Sequence, residues 1–208
     1  MKNKVVMIIL AVALVLVLVG AYVLYDFLGK NVETDRLSVE ENMEFEENGQ
    51  QEQTQSSKQE NEENKYTKAP DFTVYDEEGN AFRLSDFEGK PVVLNFWASW
   101  CGPCKLEMPD FDEAYGKYGE DIHFLMVNMT DGYQENVESA KEFIDDSGYS
   151  FPVYYDTDVD AARTYGVYSI PTTYFIDKDG YVIANGRGAL DAETLQIGID
   201  YIYDGGQQ

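Results

Sequence analysis

Hydrophobic residues fall into three regimes along this chain. Val5 to Leu24 is an uncharged run of 20 residues in which only Gly20 and Tyr22 depart from aliphatic character. At about 1.5 Å per residue a helix of that length spans roughly 30 Å, the thickness of a bilayer's hydrocarbon core. From Asn31 to about Lys68 apolar residues become sparse and Glu, Gln, Asn and Ser dominate, as in Glu44, Glu46, Glu47, Asn48, Gln50, Gln51 and Glu52. Such a stretch buries too little surface to offset its ordering entropy, so it reads as a flexible, self-repelling tether. Periodic segments begin near Ala69 and continue to the C-terminus.

Within the third regime the period alternates between strand and helix. Phe72–Tyr75 and Ala81–Leu84 read as two strands around the turn Glu77-Glu78-Gly79-Asn80. Pro91–Trp97 is a mostly apolar strand, and a helix follows over Gly102–Tyr118. Ile122–Val127 is a second buried strand, and Gln134–Ser147 places Val137, Ala140, Phe143 and Ile144 on one helical face. Phe151–Tyr155 reads as a short strand and Val159–Tyr165 as a short helix. Thr172–Ile176 and Tyr181–Asn185 form a hairpin around Asp177-Lys178-Asp179-Gly180, and Asp191–Tyr203 is the last helix. Strands separated by helices imply right-handed crossovers and an α/β domain, a central sheet with helices on both faces.

Charge sets the orientation of the first regime. Lys2 and Lys4 precede the apolar run and the acidic residues follow it. The chain is therefore expected to be single-pass, with residues 1–4 cytoplasmic, 5–25 a transmembrane anchor, 26–68 an acidic linker and 69–208 an extracytoplasmic folded domain. Tyr22 and Tyr25 sit where an interfacial aromatic belt would lie. A cleaved signal peptide is the competing reading. The run exceeds the usual 7–15-residue apolar core of such peptides, and no clear small-x-small site follows it. With 39 acidic against 15 basic side chains and a formal net charge of −24, the chain is not expected to bind nucleic acid.

The chain has only two cysteines, Cys101 and Cys104. So close a pair closes no long loop, which makes its value chemical rather than structural. It lies in Trp100-Cys101-Gly102-Pro103-Cys104, where a buried strand runs into a helix. Cys101 at the helix N-terminus faces unpaired N–H groups and the positive end of the dipole, both of which favour a thiolate. Cys104 lies one turn further in, placed to attack a mixed disulfide on Cys101. Gly102 leaves room for a partner chain, and Pro103 fits a first turn because its missing N–H has no intrahelical partner there. Residue 105 is Lys, so the haem-attachment pattern Cys-x-x-Cys-His is absent. One histidine, His123, and two cysteines do not complete a four-ligand zinc site, so no metal and no cofactor is expected.

These motifs resemble the thioredoxin superfamily, and within it the bacterial membrane-anchored TlpA/ResA-like thiol–disulfide oxidoreductases. The resemblance spans about Ala69–Tyr203. It rests on Ala69-Pro70-Asp71-Phe72, on Leu84-Ser85-Asp86-Phe87-Glu88-Gly89-Lys90, on Leu94 through Cys104, and on Ile170-Pro171-Thr172. It implies a thioredoxin-like fold, a mixed sheet flanked by helices with an N-terminal β-hairpin. It also implies a cis Ile170–Pro171 bond against the active-site disulfide, with the backbone at Ile170 pairing with substrate. Trp100, Gly102, Pro103, Ile170 and Pro171 are then the candidate substrate-binding residues, and Cys101, Cys104 and Glu107 the candidate catalytic ones. Cytosolic thioredoxins carry a buried aspartate six residues before the first cysteine, whereas this chain has Asn95 there. Glu107, three residues after Cys104 and on its helix face, matches a glutamate of the extracytoplasmic branch and is expected to move the proton of Cys104.

Four functions fit these residues to different degrees. The first is a reductase of disulfide-containing proteins, re-reduced by a membrane electron donor of the CcdA/DsbD type. Its candidate targets include apocytochrome c thiols, oxidised methionine sulfoxide reductases and spore-envelope proteins. The second is a disulfide-inserting oxidant, which the same residues could support. Gly-Pro between the cysteines and Ile before Pro171 resemble reductases more. A peroxiredoxin-like peroxidase ranks lower, because Trp-Cys-Gly-Pro-Cys replaces the peroxidatic Pro-x-x-x-Thr/Ser-x-x-Cys loop. A Sco-type copper carrier needs a distal histidine that the sequence does not place.

Overall fold

The computed structural model describes residues 37–39 and 66–203. The anchor expected at 5–25 lies outside the described residues, and among those described no helix is long and apolar enough to cross a membrane. The strands are β1 (Leu37–Val39), β2 (Thr67–Lys68), β3 (Thr73–Tyr75), β4 (Ala81–Arg83), β5 (Val92–Trp97), β6 (His123–Asn128), β7 (Val153–Tyr155), β8 (Thr172–Ile176) and β9 (Tyr181–Arg187). The helices are α1 (Gly102–Tyr118), α2 (Val137–Ser147), α3 (Asp160–Thr164) and α4 (Ala192–Ile202).

One mixed sheet runs in the order β1-β9-β8-β5-β6-β7-β3-β4, with β2 also on β9. β5, β6 and β7 are parallel and joined by helical crossovers, while β8 lies antiparallel to β5 and to β9. The expected N-terminal hairpin is β3–β4, attached to the sheet where Tyr75 faces Tyr155. Central β5 is buried along its whole length, as its near-continuous apolar sequence requires of a strand covered on both faces. Val93 and Trp97 face a core closed by Met108 and Phe111 of α1, Ala140 of α2 and Leu195 and Ile199 of α4. Val92, Leu94 and Phe96 face the opposite core, closed by Ala161 of α3, Tyr165 and the hairpin residues Phe72 and Val74. Asn95 falls between Val93 and Trp97, so the pleat aims it at α1.

Besides shifts of one or two residues at element ends, and a 3-10 turn over Leu84–Phe87, the structure departs from the sequence-based expectation at α2 and in the stretch 26–68. α2 begins at Val137 rather than Gln134, because one carboxylate oxygen of Asp131 accepts from the N–H groups of Tyr133, Gln134 and Glu135 and turns the chain there. Asn136 then caps the helix, its side chain accepting from Ser139 N–H. Within the stretch 26–68, Leu37–Val39 pairs with Ala184–Gly186 and Thr67–Lys68 with Tyr181–Val182. Composition hides such pairing, since the outer edge of β9 offers backbone groups that any extended segment can satisfy.

Candidate active site

β5 ends at Trp97 and the chain turns through Ala98–Cys101, closed by Cys101 N–H donating to Ala98 O at 3.1 Å. Cys101 is the N-cap of α1, and its Sγ accepts from Cys104 N–H at 3.2 Å. That bond meets one of the donors a helix start leaves unpaired. Pro103 sits in the first turn, where no N–H is needed. The two cysteines form a disulfide, with S–S 2.06 Å and Cα–Cα 5.3 Å. Cys101 is 4% exposed and Cys104 0%, so attack from outside reaches the first sulfur only.

The Ile170–Pro171 bond is cis, and it leads into β8. Its turn sets Ile170 O 3.7 Å from Cys101 Sγ. Pro171 is buried, Ile170 is half-buried, and Gly102 and Pro103 are exposed. Trp100 is 49% exposed and Trp97 fully buried, which separates a surface tryptophan from a core one. All eight candidate residues therefore gather at one end of the sheet. His123 stands apart at the opposite end of β6, edge-on to Phe87.

Glu107 is not a solvated helix acid. It is 1% exposed and points back into the core beside β5. Asn95 Nδ2 donates to its Oε1 at 2.9 Å, and Leu190 N–H donates to its Oε2 at 2.9 Å. The second Nδ2 hydrogen bond of Asn95 goes to Thr173 Oγ1 at 3.0 Å. Burial pushes the Glu107 carboxyl up to about 7, against the two hydrogen bonds that favour its anion; nearby Asp110 adds to the rise. A carboxyl that titrates near neutrality, one helical turn from the resolving cysteine, can take or return a proton there.

Three further groups were not singled out by the sequence. Leu190 contributes a backbone N–H, which no side-chain pattern reveals. The other two, Ser99 and Glu135, meet at the active-site turn. Glu135, 1% exposed, accepts from Ser99 N–H at 2.5 Å and from Ser99 Oγ at 3.1 Å, while Ser139 Oγ donates to it at 2.5 Å. It thereby ties the turn that presents Cys101 to the start of α2. The only sequence signal was an acid beside a helix cap, which is common on surfaces. Among the described residues no group of three or more His, Cys, Asp or Glu side chains is placed to hold a metal ion.

A disulfide-forming pair at a helix start, a cis-proline against it and this mixed sheet define a thioredoxin-like thiol–disulfide oxidoreductase. Comparison with known proteins agrees. The family model described as AhpC/TSA family matches residues 66–185. A "Thiol-disulfide oxidoreductase ResA" of Bacillus thuringiensis subsp. konkukian is 42% identical over 131 residues, 62% of this chain and 72% of that protein. The exposed lipoprotein thioredoxin Etrx1 of Streptococcus pneumoniae is 35% identical with a TM-score of 0.55, over 63% of this chain and 99% of that one. StoA of Bacillus subtilis is 27% identical with a TM-score of 0.54, over 62% and 96%. This chain belongs to the AhpC/TSA family and is a thiol–disulfide oxidoreductase similar to ResA.

Proposed function

We propose that the chain is a membrane-tethered, extracytoplasmic reductase of protein disulfides. The Cys101 thiolate attacks a target disulfide and bonds to one of its sulfurs, releasing the other as thiolate. Glu107 accepts the proton of Cys104, whose thiolate then attacks Cys101 Sγ, breaks its bond to the target and frees the second target sulfur as thiolate; the two target thiolates become a dithiol by taking one proton from Glu107 and one from solvent. Two electrons pass to the target, and the enzyme is left as the Cys101–Cys104 disulfide. Re-reduction by a membrane dithiol carrier of the CcdA/DsbD type closes the cycle.

The buried carboxyl of Glu107 carries this direction. A strong oxidant of this fold depends on a stabilised reduced form. A carboxylate in the core near the cysteines disfavours thiolate, destabilises the reduced form and makes the pair more reducing. Gly102-Pro103 between the cysteines and Ile170 before the cis-proline support the same direction. The extracytoplasmic site is supported by the apolar run at 5–25 and the lysines before it.

The test is the reduction potential of the full chain, with insulin reduction measured beside it. A value near or below about −270 mV, where thioredoxin lies, is expected. A value near about −120 mV, where the oxidant DsbA lies, would make the chain a disulfide-inserting enzyme. Peroxide consumption by the same preparation would point to a peroxidase instead.

A further inference from the structure

Among the described residues Val159 is the only non-glycine at positive φ, with φ 56° and ψ 27°. The left-handed region is unfavourable for any L-residue and most so for a β-branched one. Elsewhere the described chain fills positive φ with glycine, as at Gly166 and Gly180. The turn itself asks nothing of a side chain. Val159 N–H donates to Asp156 O at 3.2 Å and Val159 O accepts from Arg163 N–H at 3.3 Å, bonds that glycine would make equally well. Core packing does not explain the valine either, since it is 43% exposed. Strain held at an exposed apolar side chain points to a use for that side chain.

Val159 lines a cleft of about 160 Å³ together with Trp100, Val167, Tyr168 and Ile170. The cleft opens beside the reacting sulfur, because Trp100 precedes Cys101 and Ile170 O lies 3.7 Å from Cys101 Sγ. Trp100 and Tyr168 are 49% and 97% exposed, so their apolar rings face solvent rather than the core. The volume is below the roughly 300–1,000 Å³ of small-molecule sites and suits one amino-acid side chain. Asp131 also lines this cleft, its carboxyl held below the usual range by the N–H groups of Glu135, Tyr133 and Gln134. With a formal net charge of −24 behind it, this anionic margin favours a cationic neighbour on the occupant.

We propose that Val159 is a specificity-determining residue for disulfide exchange: with Trp100, Tyr168 and Ile170 it walls a subsite for one large apolar side chain next to the target cysteine of an extended, basic polypeptide. The inference rests on the reading of the chain as a reductase of protein disulfides. It adds which disulfides are preferred, namely those whose cysteine is flanked by Leu, Ile, Phe or a similar residue with Lys or Arg nearby.

The experiment uses the pre-reduced full chain and two synthetic peptides. Each carries one internal disulfide and a lysine near the target cysteine. In one peptide leucine flanks that cysteine, and in the other serine does. The peptide gains two electrons and two protons as its S–S bond breaks, and the enzyme's cysteine pair loses them as its own forms. Wild type is expected to prefer the leucine peptide by about tenfold in kcat/KM, the size of effect one apolar contact in a pocket supplies. Val159→Gly and Val159→Ala should each bring that preference within about twofold. Val159→Gly should also raise the thermal midpoint by releasing the backbone, while Val159→Ala should not. Ile197→Ala, an exposed apolar position on α4, should keep the preference. A preference unchanged in both Val159 variants, or absent in wild type that reduces both peptides, overturns the inference and leaves the reductase reading standing. Wild type that reduces neither peptide overturns both.

Discussion

Asn95 of β5 donates a hydrogen bond to Glu107 of α1 at 2.9 Å, inside the core and one helical turn along α1 from Cys104. The strand position that holds an aspartate in cytosolic thioredoxins holds an amide here, and the carboxyl comes from the facing helix instead. The amide orients that carboxyl, since both Asn95 Nδ2 hydrogen bonds are committed, one to Glu107 and one to Thr173.

If Glu107 takes the proton of Cys104, its removal must change the pH dependence of exchange. In Glu107→Gln the step that resolves the mixed disulfide is expected to slow by about 100-fold, the lower end of what a positioned acid–base group contributes. The ionisation near 7 should vanish from the pH–rate profile. Stopped-flow reduction of a disulfide peptide between pH 5 and 9 checks this, and an unaltered profile removes Glu107 from the mechanism.

The same group makes stability pH-dependent, with a definite sign. Its carboxyl is raised from 4.5 to about 7 in the folded chain, so the native state holds the proton more tightly than the unfolded state. The stabilisation is complete below about 4.5 and is lost as pH rises through about 7, a difference on the order of 3 kcal/mol. Urea denaturation at pH 5 and pH 8 should show wild type weaker at pH 8. Glu107→Gln should narrow the gap.

Restoring an aspartate in Asn95→Asp would set two carboxyls about 3 Å apart in the core. They cannot both ionise, so one is driven well above the ordinary range. The acid limb of the pH–rate profile should move to higher pH, and the domain should lose stability at pH 8. Parallel exchange kinetics and denaturation of this variant check both outcomes.

The order of the two sulfurs is also testable. Cys101 is 4% exposed and Cys104 0%, so Cys104→Ser should accumulate a mixed disulfide between Cys101 and substrate, visible on a non-reducing gel. Cys101→Ser should abolish exchange. Alkylation of the reduced chain by iodoacetamide at pH 7 should be faster at Cys101 than at a free peptide thiol.

Glu135 holds the active-site turn through Ser99. Glu135→Ala leaves the Ser99 N–H without its acceptor and is expected to cost about 1–3 kcal/mol by urea denaturation, with slower exchange. Glu135→Gln keeps an oxygen for that N–H and offers its amide hydrogens to the two serine hydroxyls, so it should recover most of both. Equal losses in the two variants would mean that the charge, not the bonding, is what the site needs.

The element order, the helix over Gly102–Tyr118, the buried β5 strand, the cysteine pair and the cis-proline were legible in the sequence. All but the last follow from local chemistry, whether apolar periodicity, a proline in a first turn, or a motif that spans a strand–helix junction; the cis-proline followed from the family resemblance of Ile170-Pro171-Thr172. The bounds of α2 were not legible, because an Asx-type turn at Asp131 competes with helix over the same polar residues. Pairing of residues 37–39 and 67–68 with β9 was equally hidden, since edge pairing uses backbone groups that every residue carries. Glu107 could be placed on the right helix face from its spacing. Only the tertiary structure buries it, because burial depends on Asn95 and Leu190, 12 and 83 residues away in sequence. Glu135 and Val159 join the site for the same reason. Their partners become neighbours only when β5, β6 and the turn before β8 end side by side, and a pattern read along one chain carries no information about which ends will meet.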